Sequence, residues 1–165
     1  MTSSFGISLK ILVFGPNPSA TASSGYLGDL LRKRNEIRDA LQSDGHTAVF
    51  PEDLGSIPDP ALNGNAWLWE RQLVLDYDMV VNLVASPGTI AELPLFEHTP
   101  ITAKAAFFFD EAQQGGLTFQ YAQTLEARGA TLHTYKYPDD LTMCCLLKHI
   151  RQMVWKIRVA KFLVP

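Results

Sequence analysis

Apolar positions along this chain fall into two alternating rhythms. Short β-prone runs are separated by longer segments in which apolar residues recur every three or four positions. Lys10 to Phe14 is the first run, and Gly15-Pro16-Asn17-Pro18 stops it, because two prolines continue neither a ladder nor a helix. From Leu27 to Gln42, Leu27, Leu30, Leu31, Ile37 and Leu41 share one helical face. Arg32, Lys33, Arg34, Glu36 and Arg38 lie mostly around the other, and Gly45 ends the helix. Thr47 to Phe50 predicts a second strand, closed by Pro51-Glu52-Asp53, and Ala61 to Leu75 has helical length and polarity. Met79 to Val84 is continuously apolar, as a strand covered on both faces should be. Ala105 to Phe109 predicts a fourth strand, Leu117 to Arg128 a helix ended by Gly129, and Thr131 to Tyr135 a fifth strand. Pro138-Asp139-Asp140 then opens one long terminal helix with the apolar stripe Met143, Leu146, Leu147, Ile150, Val154 and Ile157. Trp155, Phe162 and Leu163 leave room for a subunit interface.

Strand and helix alternate five times. This predicts one α/β domain over residues 1–165: a three-layer, doubly wound fold with a five-stranded parallel sheet in the order 2-1-3-4-5 and a long C-terminal helix. In that order the ligand crevice lies beyond the carboxyl ends of strands one and three, where the winding reverses. Those ends are Gly15-Pro16-Asn17 and Ala85-Ser86-Pro87-Gly88.

The second of these turns leads into Thr89-Ile90-Ala91-Glu92. A helix starting here offers unpaired N–H groups beside the Glu92 carboxylate, a suitable place for a polar or anionic ligand. Thr89 and Glu92 also match a capping box, in which the glutamate serves only the backbone. Pro94 argues that a regular helix was not the main demand on this segment.

The 165 residues carry a formal charge of −3, which argues against a general nucleic-acid binder. Yet no acidic residue follows Leu141, while Lys148, Arg151, Lys156, Arg158 and Lys161 are basic; this reads as a solvated helix face or a docking surface. The two cysteines, Cys144 and Cys145, are adjacent and unsuited to an ordinary structural disulfide. They suggest a reducing compartment, and no apolar stretch has membrane-spanning length, so a cytoplasmic protein without a membrane partner is expected. His46, His98, His133 and His149 show no metal-pair spacing, and neither a metal nor a cofactor is expected. Nucleophile-elbow, P-loop and G-x-G-x-x-G motifs are absent, which removes support for the corresponding enzyme classes.

A carboxylate facing a sugar's anomeric carbon can act as a nucleophile or stabilise an oxocarbenium-like transition state. A second acid must protonate the leaving group. Glu52 and Asp53 follow the second strand at its carboxyl end, whereas Asp78 precedes the third and lies at the wrong end. Arg32 and Arg34 could meet a phosphate.

Gly15-Pro16 after a strand, the arginine-bearing helix, Gly45-His46, Pro51-Glu52-Asp53, Asp78-x-Val80-Val81 and Ser86-Pro87-Gly88-Thr89-x-x-Glu92-Leu93 together resemble the nucleoside 2-deoxyribosyltransferase-like superfamily. The resemblance covers roughly residues 9–110. That group shares a broader fold with TIR-type NAD hydrolases and lysine-decarboxylase-like phosphoribohydrolases. It implies cleavage or transfer at the N-glycosidic bond of a nucleoside, nucleotide or NAD, with Glu92 as nucleophile. Gly15, Pro16, Asn17, Arg34, Glu52, Asp53, Ser86, Pro87, Gly88 and Thr89 are then expected around the substrate, and a homo-oligomer is expected. Ser86 replaces the acid that the transferases commonly carry, and Phe14-Gly15-Pro16-Asn17 replaces their double glycine, shifting weight toward a divergent hydrolase. Relatives with the S-P-G-T-x-x-E form resemble effector domains of bacterial anti-phage systems, which keeps NAD hydrolysis in view. A non-catalytic nucleotide-binding or sensor domain is the contrasting expectation.

Overall fold

Met79–Leu83 forms strand β3, buried at every position, and the rest of the sheet is built outward from it. Its neighbours are β1 (Lys10–Phe14) and β4 (Ala105–Asp110), flanked by β2 (Thr47–Val49) and β5 (Thr131–Tyr135). All four pairings are parallel, in the order β2-β1-β3-β4-β5. This computed structural model describes residues 6–17, 25–55, 65–85 and 87–164.

Alternation along the strands divides the core between two faces. Ile11, Val13, Met79, Val81, Ala106 and Phe108 pack against helices α1 (Gly25–Ser43), α6 (Asp139–Thr142) and α7 (Cys145–Leu163). Leu12, Phe14, Val80, Phe107 and Phe109 pack on the opposite face against α2 (Ala66–Asp76), α5 (Leu117–Glu126) and the segment after β3. That segment contains the short helices α3 (Pro87–Ala91) and α4 (Thr99–Thr102), with a 3-10 turn over Leu93–Glu97 between them. The sheet is therefore doubly wound, and its reversal point falls between β1 and β3.

Several local expectations change. The predicted single terminal helix is two helices, because Met143 is extended (φ −91°, ψ 176°). Its carbonyl accepts from the buried Lys33 ammonium at 3.0 Å, and Lys33 also pairs with Glu36. Met143 thus leaves the apolar stripe and is 61% exposed. Lys33 and Arg34, expected on the polar side of α1, are both buried, whereas Leu27 is partly exposed. Ionic and hydrogen-bonding partners from other elements override the helix's own amphipathic pattern. Gly45 does adopt a left-handed φ of 90°, and His46 N–H reaches the Leu41 carbonyl at 3.0 Å, closing α1 as expected.

The basic terminal helix is not simply a solvated face. Arg151 clasps Asp44 with two bonds of 2.7 and 3.0 Å, Lys161 pairs with Asp78, and Arg158 is buried. Among the described residues no helix is long and apolar enough to cross a membrane.

Candidate carboxylate site at the winding reversal

At the carboxyl ends of β1 and β3 lies a cavity of about 190 Å³, lined by residues from five segments. Phe14, Gly15 and Asn17 come from the exit of β1, Arg34 from α1, and Pro51 and Glu52 from the 3-10 turn after β2 (Pro51–Leu54). Glu70 projects from α2, and Thr89 and Glu92 complete the lining after β3. Drug-sized ligands occupy pockets of roughly 300–1,000 Å³, so this cavity is sized for a sugar-sized portion of a ligand.

The T-x-x-E segment does not form the capping box that its spacing allows. Helix α3 already begins at Pro87, so Thr89 lies inside it, and the Thr89 hydroxyl accepts from Ala85 N–H at 3.1 Å. Glu92 follows the helix, at φ −79° and ψ −18°, with no side-chain cap bond. Pro94 prevents a longer helix, because its ring removes a donor and crowds the preceding turn. Glu92 is thereby placed after a short helix rather than on the first turn of a long one. One of its carboxyl oxygens, Oε2, is buried without a hydrogen-bond partner among the described residues.

Arg34 holds the neighbouring walls together. Its Nε and Nη2 donate to the Val13 carbonyl at 3.1 and 2.8 Å, and Nη1 donates to the Pro16 carbonyl at 2.8 Å. The remaining Nη1 and Nη2 protons go to Glu52 Oε1 and Oε2 at 2.7 and 2.8 Å. All five N–H donors are then occupied, and the guanidinium also lies 4.1 Å above the centre of the Phe50 ring. Arg34 is thus a structural clamp in the cavity wall, its N–H groups engaged by the protein rather than left for a phosphate. Gly15 makes the clamp possible: a β-carbon there would approach Arg34 Cδ to 2.8 Å.

Three carboxyls converge on the cavity, and one of them, Glu70, is absent from the candidates drawn from sequence. Burial pushes Glu92 up to about 8, with the charges of Glu70 and Glu52 adding to the effect and Arg34 opposing it. Glu70 is raised too, by burial and then by Glu52. Glu52 directs both carboxylate oxygens to Arg34. Nothing in the local pattern around Trp67-Leu68-Trp69-Glu70-Arg71 distinguishes Glu70 from a surface glutamate. Only the docking of α2 across the strand ends reveals it.

The other expected residues separate. Pro16 contributes its carbonyl to Arg34 rather than lining the cavity. Asp53 is exposed, stands 4.0 Å from Arg38 and does not line the cavity. Pro87 and Gly88 form the first turn of α3, and Ser86 lies outside the described residues. Asp78 accepts from Lys10 N–H at 2.7 Å and pairs with Lys161, at the amino end of β3. Arg32 pairs with Asp29 on α1.

A more open groove of about 830 Å³ runs along α7, lined by Cys144, Lys148, Arg151, Gln152, Trp155 and Lys156. Its described lining holds no carboxyl group. Among the described residues no group of three or more histidine, cysteine or acidic side chains is placed to hold a metal. No family model matches the chain, and no curated protein matches it in sequence.

Proposed function

We propose that this cavity cleaves or transfers at the N-glycosidic bond of a nucleoside, a nucleotide or NAD, with Glu92 acting at the anomeric carbon. The observation that carries the reading is the buried Glu92 carboxyl, whose Oε2 lacks a partner among the described residues in a cavity at the winding reversal. Leaving such a group unpaired costs about 1–3 kcal/mol, so a ligand that engages it recovers that cost. The surrounding charge is also suited to the chemistry. Glycosidic cleavage develops positive charge on the sugar, and a cavity rich in carboxyls stabilises that charge more than it stabilises the neutral ground state.

At neutral pH the free carboxyl of Glu92 is held protonated, since burial beside Glu70 and Glu52 raises it to about 8. An electron-poor anomeric carbon reverses that preference, because it favours the carboxylate. Enzymes commonly tune glutamates toward neutrality in this way. A non-catalytic nucleotide sensor is the second reading, supported by the same protonation, which makes Glu92 a donor to a ligand oxygen.

Incubation with a panel of nucleosides, nucleotides and NAD, followed by chromatography, separates the two. The enzymatic reading expects released base or nicotinamide from at least one substrate, and loss of that release by about 10³-fold or more in Glu92→Gln. Ligand-dependent thermal stabilisation without turnover across the panel would replace it with the sensor reading. Self-association, implied by the same family resemblance, is measured by light scattering.

A further inference from the structure

Release of a purine base at such a site needs a proton donor, and the cavity narrows the choice. Asp53 does not line it, and Asp78 sits at the opposite end of β3 beside Lys10 and Lys161. Glu52 lines it, but both of its oxygens already accept from Arg34. Glu70 also lines it, is partly buried on α2, and makes no hydrogen bond or ion pair among the described residues. It is the cavity carboxyl, other than Glu92, that remains available to a ligand.

We propose that Glu70 is the second catalytic residue: it protonates the departing base and then deprotonates the incoming water, while Glu92 bonds to the anomeric carbon. This inference rests on the N-glycosidic reading. In the first step the proton shared by the two carboxyls lies on Glu70, and the ionised Glu92 oxygen forms a bond to the anomeric carbon. The carbon–nitrogen bond breaks, its electron pair goes to the base nitrogen, and that nitrogen takes the Glu70 proton. In the second step water gives a proton to the Glu70 carboxylate and its oxygen bonds to the anomeric carbon. The ester bond to Glu92 breaks and its pair returns to Glu92. Base and free sugar leave, and both carboxyls regain their starting states.

The electrostatics support this division. Burial raises both groups, Glu92 feels the charge of Glu70, and Glu70 feels that of the clamped Glu52. Two interacting carboxyls hold a shared proton as a pair, and its position follows whichever neighbour is charged. A developing cation at the anomeric carbon favours ionised Glu92 and therefore a proton on Glu70.

The test compares wild type, Glu70→Gln and Glu92→Gln on a purine nucleoside and on nicotinamide riboside. The purine leaves only when protonated, whereas the pyridinium ring leaves neutral without a proton. Removing a general acid costs about 10²–10⁴-fold. Glu70→Gln should slow first-turnover purine release by that factor and nicotinamide release at least about tenfold less, whereas Glu92→Gln should suppress both. Equal losses on the two substrates, or none, would overturn the role of Glu70. Carbon-13 NMR of labelled glutamates supplies a readout without turnover: Glu92 should titrate at lower pH in Glu70→Gln, and an unchanged titration would also overturn it. Failure of wild type to release base from any substrate sinks the N-glycosidic reading itself and this assignment with it, while the NMR still reports whether the two carboxyls are paired.

Discussion

Arg34 grips Glu52 with two parallel bonds of 2.7 and 2.8 Å, joining α1 to the turn after β2 directly beside the cavity. Arg34 is 1% exposed in its side chain whereas Glu52 is 36% exposed, so the two ends of this pair contribute unequally. Removing the buried end strands the Val13 and Pro16 carbonyls as well as the carboxylate. Arg34→Met should therefore lower unfolding stability by about 3 kcal/mol, against about 1 kcal/mol for Glu52→Gln. Urea midpoints of the two variants measure the difference. Equal effects would show that the exposed ion pair, rather than the carbonyl clamp, dominates.

Gly15 and Arg34 should behave as one unit. A methyl group at position 15 meets Arg34 Cδ at 2.8 Å, and the guanidinium bonds prevent that chain from withdrawing. Overpacking of this type costs about 1–3 kcal/mol, and contacting residues show couplings of about 0.5–3 kcal/mol. Gly15→Ala should destabilise wild type but have little effect in the Arg34→Met background. An additive double mutant would show that the close approach is not what constrains position 15.

Glu92 should leave a signature in the pH dependence of stability. Its folded-state value of about 8 lies above the ordinary 4.5, so the folded chain retains this proton over a range in which the unfolded chain has lost it. The folded state binds more protons there, and stability falls as pH rises from about 4.5 through about 8. One unit corresponds to about 1.4 kcal/mol, and partial solvent access reduces the full effect to about 1–3 kcal/mol. Relative to wild type, Glu92→Gln should gain stability at pH 9 and gain little at pH 5. Thermal melts across that range check the sign; a variant gain confined to acid pH would refute the raised value.

Asn82 offers a different comparison. It is fully buried in β3 between Phe14 and Phe107 in register, and both its amide nitrogen and its oxygen lack partners among the described residues. Replacing an unsatisfied polar group by an apolar one of similar shape removes its desolvation cost, so Asn82→Val should stabilise the chain by about 1–3 kcal/mol. Denaturant unfolding measures this. If base release falls while stability rises, Asn82 serves the neighbouring site.

The acid-stability behaviour of Asp78 should run opposite to that of Glu92. Burial works against its ionisation, but the Lys10 N–H bond and the Lys161 ammonium overcome this and lower its value below 3.8. Its contribution is present above that value and is lost as pH falls through the depressed one. Asp78→Asn should therefore cost about 1 kcal/mol at pH 7 and much less at pH 2. It should leave base release at neutral pH intact, since the group stands at the far end of the strand; urea unfolding at the two pH values tests the first expectation.

Much of the architecture was readable in the chain because buried parallel strands impose an unmistakable local pattern. Met79 to Leu83 is apolar at all but one position, and Ala105 to Phe109 at every position, which a half-exposed strand would not tolerate. Alternation with helical segments implies the sheet order, and that order points to the strand ends where the cavity lies. The break at Met143 escaped because the apolar stripe runs through it; what ends the helix is a lysine from α1, distant in sequence.

The sequence by itself determined the strands, their winding and the turn carrying Glu92, since these follow from periodicity, proline placement and short-range sterics. Only the tertiary structure decided what the polar groups do. A local pattern places Arg34 on a solvated face and Glu92 in a capping box, but neither pattern records which distant groups surround a side chain. Packing turned Arg34 inward to five hydrogen bonds on four acceptor oxygens, left Glu92 without a cap, and brought Glu70 to the same cavity. Charge and hydrogen-bond satisfaction are properties of the assembled neighbourhood, and that neighbourhood exists only once the chain has folded.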